Sequence, residues 1–291
     1  MSSFQNLPTA IISNGLIELE VFSTAGPRIV RLSAFGKPNL FADLPVSLST
    51  QYGEFYFRGG HRLWHSPEAI PRSYIPDNDG CRLEQTAGGV TLHGPCETGS
   101  GIAKTVQIQL MANCAGAVIT HTLRNDGLWP VELAPWAISM FRLGGTVILP
   151  QPIGNADPDG LLNNRILALW PYAQMKDPRL EWRDDAILIR AFPQPGPFKL
   201  GYFNPHGWLA YWIDGLLFQK RFDPLPGQKF PDGGCNTESY CNGQFVELES
   251  LGPLVTLQPG AEVRHTETWE IFPSLDVPFL SPEIRGVLVK S

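Results

Sequence analysis

Basic clusters are missing from this chain: no run of Lys and Arg is longer than a pair, and the formal charge is −6. The electrostatic footprint of a nucleic-acid binder is therefore absent. Long apolar runs are missing too, the longest, such as Trp208 to Ile213, falling far short of the roughly 20 residues that span a bilayer. No membrane span is expected. The opening MSSFQNLPTA has neither a basic region nor an apolar one of the secretory kind, so a cytoplasmic location is expected. The five cysteines, Cys81, Cys96, Cys114, Cys235 and Cys241, are odd in number, scattered and without a CxxC pair. They read as reduced thiols, not as a disulfide framework or a metal site. GxSxG, a P-loop, GxGxxG after a strand and HExxH are all absent, so acyl-serine, nucleotide and zincin chemistries have no positive support. No cofactor and no metal are implied.

What is present is apolar volume and strand pattern. The hydrophobic share is 43%, with 16 Phe and 8 Trp in 291 residues, enough to build a large core without staples. No segment of helical length keeps an apolar period of 3.6 residues without a Pro, a Gly or a β-branched interruption. Alternation instead marks strands at Leu16 to Phe22, Arg28 to Phe35, Thr105 to Met111, Ala117 to Leu123, Ala186 to Ala191, Trp208 to Ile213, Phe245 to Leu251 and Glu262 to Phe272. Gly88-Gly89, Asn125-Asp126-Gly127 and Pro158 to Gly160 read as turns between such runs. The fold class is all-β. No repeat, low-complexity tract or linker divides the chain, so residues 1–291 are expected to form one domain.

Two stretches, Tyr52 to Gly80 and Asp223 to Asn242, are too long and too rich in Pro and Gly for simple connectors, and are expected to be binding or lid loops. The first holds Phe57-Arg58-Gly59-Gly60-His61-Arg62-Leu63-Trp64-His65-Ser66-Pro67-Glu68. Glycines allow close backbone approach, Arg58 and Arg62 offer planar donors, and Trp64 offers a flat face for a sugar's C–H surface. A structural turn, with Trp64 plugging the core, explains the same residues. His61, His65 and Glu68 would suit a metal on a helix, but the flanking Gly and Pro argue against one. In the second stretch Asp232, Asn236, Glu238 and Tyr240 could reach hydroxyls; an Asx turn salt-bridged to Lys220 is the alternative. Near the end, period two places Phe245, Glu247 and Glu249 on one strand face, either solvated or functional. His265 and Glu267 share the core-like face of the last strand and read as a buried pair, and His121 as a core histidine.

In order and spacing, FRGGHRLWHSPE, RNDGLWPVELAPWAISMFRLGG, FVELESLGPLVTLQPG and HTETWEIF resemble the galactose mutarotase-like superfamily over nearly the whole chain. That resemblance implies a two-sheet β-supersandwich with a concave ligand cleft, and a small-molecule carbohydrate as ligand. It further implies that Glu249, ahead of Pro259-Gly260, is the base at the anomeric hydroxyl, with Glu247 as the neighbouring alternative, and that Arg58 binds ligand, a role Arg62 could share. The family's ring-oxygen acid is a histidine; here Trp136 or its neighbour stands in the matching strand, and tryptophan has no proton to exchange. His93-Gly94 resembles a second family histidine, but its surroundings match poorly. His61 or His65 could substitute as the acid. Three readings follow: an aldose 1-epimerase-like isomerase, a non-catalytic sugar-recognition domain, and a lyase or hydrolase on an acidic sugar held by Arg58, Arg62 and Lys220. Oligomeric state is not readable from the chain.

Overall fold

The computed structural model describes residues 2–273, and among them the regular structure is strand, apart from one 3₁₀ turn at Arg72–Tyr74. Every strand pairing is antiparallel, in two large sheets. The first has 12 strands, and its centre runs Arg28–Ala34, Gly53–Ser66, Val131–Arg142, Phe245–Leu251, Thr237–Cys241, Phe198–Tyr202. The second has 10, with Trp208–Ile213, Leu216–Phe222, Glu262–Pro273, Gly116–Asn125 and Ile102–Leu110 as consecutive neighbours. No helix of the described residues is long and apolar enough to cross a membrane.

Alternation decides what each strand buries. Val246 and Leu248 point between the sheets with Leu63, Phe141, Phe218 and Trp269, and all of these belong to the largest apolar cluster. Phe245 and Leu251 point the other way with Phe55, Trp64, Trp136, Ile138 and Met140, forming a second cluster on the outer face of the 12-stranded sheet. A sheet buried on one face only would show polar residues there. This one is covered on both, and that second cover is where the site lies.

Both expected loops are corrected in part. Gly53–Ser66 is one strand of 14 residues, so the segment from Phe57 to Ser66 is sheet and only Pro67 to Gly80 is a connection. Thr237–Cys241 is likewise a strand, paired with Phe245–Leu251. Gly59 and Gly60 have φ of +84° and +73°, and a Cβ on them would lie 1.9 Å from the Ala42 carbonyl oxygen and 2.1 Å from that of Ile29. Their role is close approach of neighbouring strands. Here the long strand changes partner, from Asp43–Thr50 up to Gly59 to Arg28–Ala34 at His61.

Candidate functional site

Register brings the site together. Across the 12-stranded sheet Trp64 opposes Trp136; Arg62 opposes Ile138, which opposes Glu249, which opposes Glu238; Met140 opposes Glu247, which opposes Tyr240, which opposes Lys199. Neighbours in such rows sit about 5 Å apart on one face. The outer face of this patch carries a pocket of about 330 Å³, lined by Arg62, Trp64, Trp136, Lys199, Tyr240 and Glu247, with Phe57, Tyr74, Trp170 and Tyr172 around them and Glu68 at the exposed edge. That volume lies at the lower end of the range for small-molecule sites.

Its charges are interlocked. Arg62 lies 4.1 Å over the Trp64 ring and 3.4 Å from the Glu247 carboxylate. Burial lowers the Arg62 guanidinium to about 10, though Glu247 opposes the shift. Lys199 reaches Glu238 at 2.7 Å and Glu249 at 2.9 Å, and stands 4.7 Å over Trp136 and 4.6 Å over Trp170. Desolvation pulls the Lys199 ammonium down, but Glu238 and Glu249 outweigh it and hold it well above the usual lysine range. Trp136 Nε1 donates to Glu249 at 2.7 Å. Burial, reinforced by the Glu249 charge, raises Glu247 to about 8, and burial also carries Glu238 well above the carboxylate range. Glu247 is thus mostly neutral at pH 7, beside a carboxylate that two donors hold.

The expected site residues divide into three groups. Arg62, Trp64, Glu68, Trp136, Tyr240 and Glu247 line the pocket, while Glu249 and Glu238, fully buried, lie against Lys199, one of its lining residues. Arg58, His61, His65, Lys220 and Asp232 are outside the lining. Arg58 donates to Asn78, and Asp232 is exposed with Ser66 as its hydroxyl partner. His65 is buried 3.6 Å from Glu97, and its ring is held below the ordinary imidazole range by burial. His61 and Lys220 lie between the sheets, which corrects the expectations that His61 reaches a ligand from a loop and that Lys220 holds one. None of the six histidines lines the pocket.

Behind the pocket floor these interior residues form a polar network. His121 Nδ1 faces the His265 carbonyl at 3.0 Å and so carries the proton, leaving its Nε2 to accept from His61 Nε2 at 2.7 Å; Ser139 then donates to His61 Nδ1 at 2.8 Å. Lys220 ion-pairs Glu267 at 2.9 Å, and Trp269 donates to the same carboxylate at 2.9 Å. His61, His121 and Glu267 are close enough to hold an ion, with ligand atoms within 4.8 Å of one another. The Lys220 ammonium beside that carboxylate would oppose a second cation, so the group reads as hydrogen-bonded structure.

Lys199 and the aromatic pair Trp170 and Tyr172 did not emerge from sequence reasoning. Lys199 had a signal, a lone cation between Phe198 and Leu200, both of which face the core. Trp170 and Tyr172 lie in a non-strand segment, where periodicity says nothing.

No protein-family model matches the sequence, and no curated protein matches it. Solved structures do match. A candidate mutarotase from Salmonella typhimurium superposes with a TM-score of 0.60 at 12% identity, covering 93% of this chain and 92% of its own. A galactose mutarotase-like protein from Lactobacillus casei gives 0.55 at 11%, covering 91% and 100%. A galactose mutarotase related enzyme from Lactobacillus acidophilus gives 0.54 at 10%, covering 94% and 100%. At such identities the likeness establishes the fold, which is galactose mutarotase-like.

Proposed function

We propose that the pocket binds a monosaccharide or a monosaccharide derivative, and that Glu247 exchanges a proton with it in an epimerase-like reaction. One feature carries this reading: the Glu247 carboxyl lines the pocket 3.4 Å from Arg62, and burial together with the neighbouring Glu249 charge pushes it up to about 8. Flat indole rings suit a sugar's C–H face, and Arg62, Lys199 and Glu68 suit its hydroxyls. Opening a pyranose requires a proton to leave O1 for a base while an acid protonates O5 and the C1–O5 bond breaks. Protonated Glu247 can supply the acid. The carboxylate that would receive the O1 proton is Glu249, which lies fully buried against Lys199 and reaches the sugar once that lining ammonium moves aside. The two environments differ in the way that separates an acid from a base.

The test is saturation-transfer NMR with free hexoses, uronic acids and sugar phosphates, followed by exchange spectroscopy of the anomers of each hit. Glu247→Gln should bind as before and lose about 10²-fold or more in exchange rate, since the amide keeps the shape without the proton. Wild-type exchange should fall as pH rises through about 8. Exchange that survives Glu247→Gln would sink the assignment.

The absence of an imidazole from the lining favours a second reading, recognition without turnover. Binding with no acceleration of anomer exchange by the wild-type protein would decide for it.

A further inference from the structure

Arg62 and Trp64 have a second side. Beyond them lies a larger cavity of about 590 Å³, walled by the 52–55 turn and strand start, the 75–79 segment, the 94–98 turn and Lys104, and bordered by the same Arg62 and Trp64 that border the sugar pocket. We propose that this cavity is a second carbohydrate subsite, so that the ligand is a disaccharide or longer chain whose second unit is neutral or amine-bearing. The inference rests on the sugar reading of the first pocket and extends it.

Arg62 is 4% exposed; its Nη2 faces Glu247, its Nη1 faces the Met140 sulfur at 3.1 Å, and its Nε has no partner among the described residues. A buried donor left open costs stability unless something fills the place, and Arg62 borders both cavities. The aromatic wall is also continuous. Phe55, in the larger cavity, packs 5.9 Å from Trp64 and 5.3 Å from Phe57, which lines the smaller one.

Charge sets the class of the second unit. Of the four carboxylates around the larger cavity, Asp77 is engaged by Arg28 and Glu97 by Lys104. Glu54, one of whose oxygens accepts from the Ser49 hydroxyl at 2.6 Å, and Asp79 have no ion-pair partner among the described residues, and the Asn78 amide lines the same wall. Such acceptors receive hydroxyl and ammonium donors and repel carboxylate or phosphate. Asn78 is itself positioned, donating to the Glu54 carbonyl at 2.8 Å and accepting from Arg58 at 3.1 Å. Arg58 thereby acts on the larger cavity through Asn78.

Calorimetry with glucose, galactose and glucosamine against cellobiose, lactose and the glucosamine disaccharide tests the proposal. At least one disaccharide should bind about tenfold tighter than its monosaccharide, the yield of one or two added hydrogen bonds. Glu54→Gln, and separately Asn78→Ala, should remove most of that gain while leaving monosaccharide affinity unchanged, which also controls for folding. Equal affinity of monosaccharides and disaccharides, or a gain that both variants keep, overturns the second subsite and leaves the first pocket standing. A disaccharide ending in a uronic acid that binds as tightly as its neutral counterpart overturns the assigned class. Failure of every sugar to bind overturns both readings.

Discussion

Glu247 and Glu249 are two residues apart on one strand, yet their surroundings differ in kind. Glu249 meets an ammonium and an indole N–H; Glu247 meets a guanidinium 3.4 Å away and a neighbouring negative charge. Glu238 is the third carboxylate, raised well above its usual range first by desolvation and then by the Glu249 charge. Replacing it by Gln removes one of the two carboxylates on Lys199 and leaves the Glu249 pair, so it should cost less than Lys199→Met, which strands Glu249 and should cost about 3–5 kcal/mol. Urea unfolding of the two variants at pH 7 checks the contrast, and equal losses would contradict it. The shared face of Glu247 and Glu249 was legible from period two. Whether that face was wet was not, because its cover comes from Trp64, Trp136 and Tyr240, on three other strands of the same sheet. His61 and His65 were misplaced for a related reason. Two adjacent glycines resemble a loop, and only the positions of the Ala42 and Ile29 carbonyls show that they belong inside a strand.

Among elements, the strands Val131–Arg142 and Phe245–Leu251 lie side by side under the pocket, and one side chain joins them from behind. Lys220 donates to the Ala137 carbonyl at 3.3 Å and the Leu248 carbonyl at 3.1 Å, next to Trp136 on one strand and between Glu247 and Glu249 on the other. It comes from the opposite sheet, fully buried and held by Glu267. Lys220→Met leaves an uncompensated carboxylate in the interior and should cost about 3–5 kcal/mol in chemical denaturation. The double variant with Glu267→Leu should recover a large part of that loss. A single variant as stable as the wild type would remove Lys220 from the account. The last long strand was expected at Glu262 to Phe272 and runs Glu262–Pro273, since an alternating, β-branched and aromatic stretch this long leaves little choice. The change of strand partner at Gly59 and Gly60 has no such pattern and became visible only in three dimensions.

For the molecule as a whole, buried ionisable groups predict a stability maximum with opposed limbs. His61, His121 and His265 are all lowered by burial, His265 to about 3, so the unfolded chain binds protons below about 6.5 that the native state refuses. Stability is therefore lost as pH falls from that point towards the folded values. Glu247 acts in the other direction: raised to about 8, it binds its proton in the native state while the unfolded carboxyl has released it, so stability is lost between about 4.5 and 8 as pH rises. Glu247→Gln should flatten the alkaline limb above about 6.5 and steepen the acid limb between about 4.5 and 6.5, where the two windows overlap, which thermal melts from pH 4 to 9 would show. The two-sheet architecture was legible from strand alternation and motif order, whereas the pocket depends on register between strands far apart in the chain. Carbon NMR of glutamate carboxyls through a pH titration observes the Glu247 group directly. A resonance titrating near 8, absent from Glu247→Gln and displaced when a binding sugar is added, is the predicted result; no glutamate titrating above about 6 would contradict it.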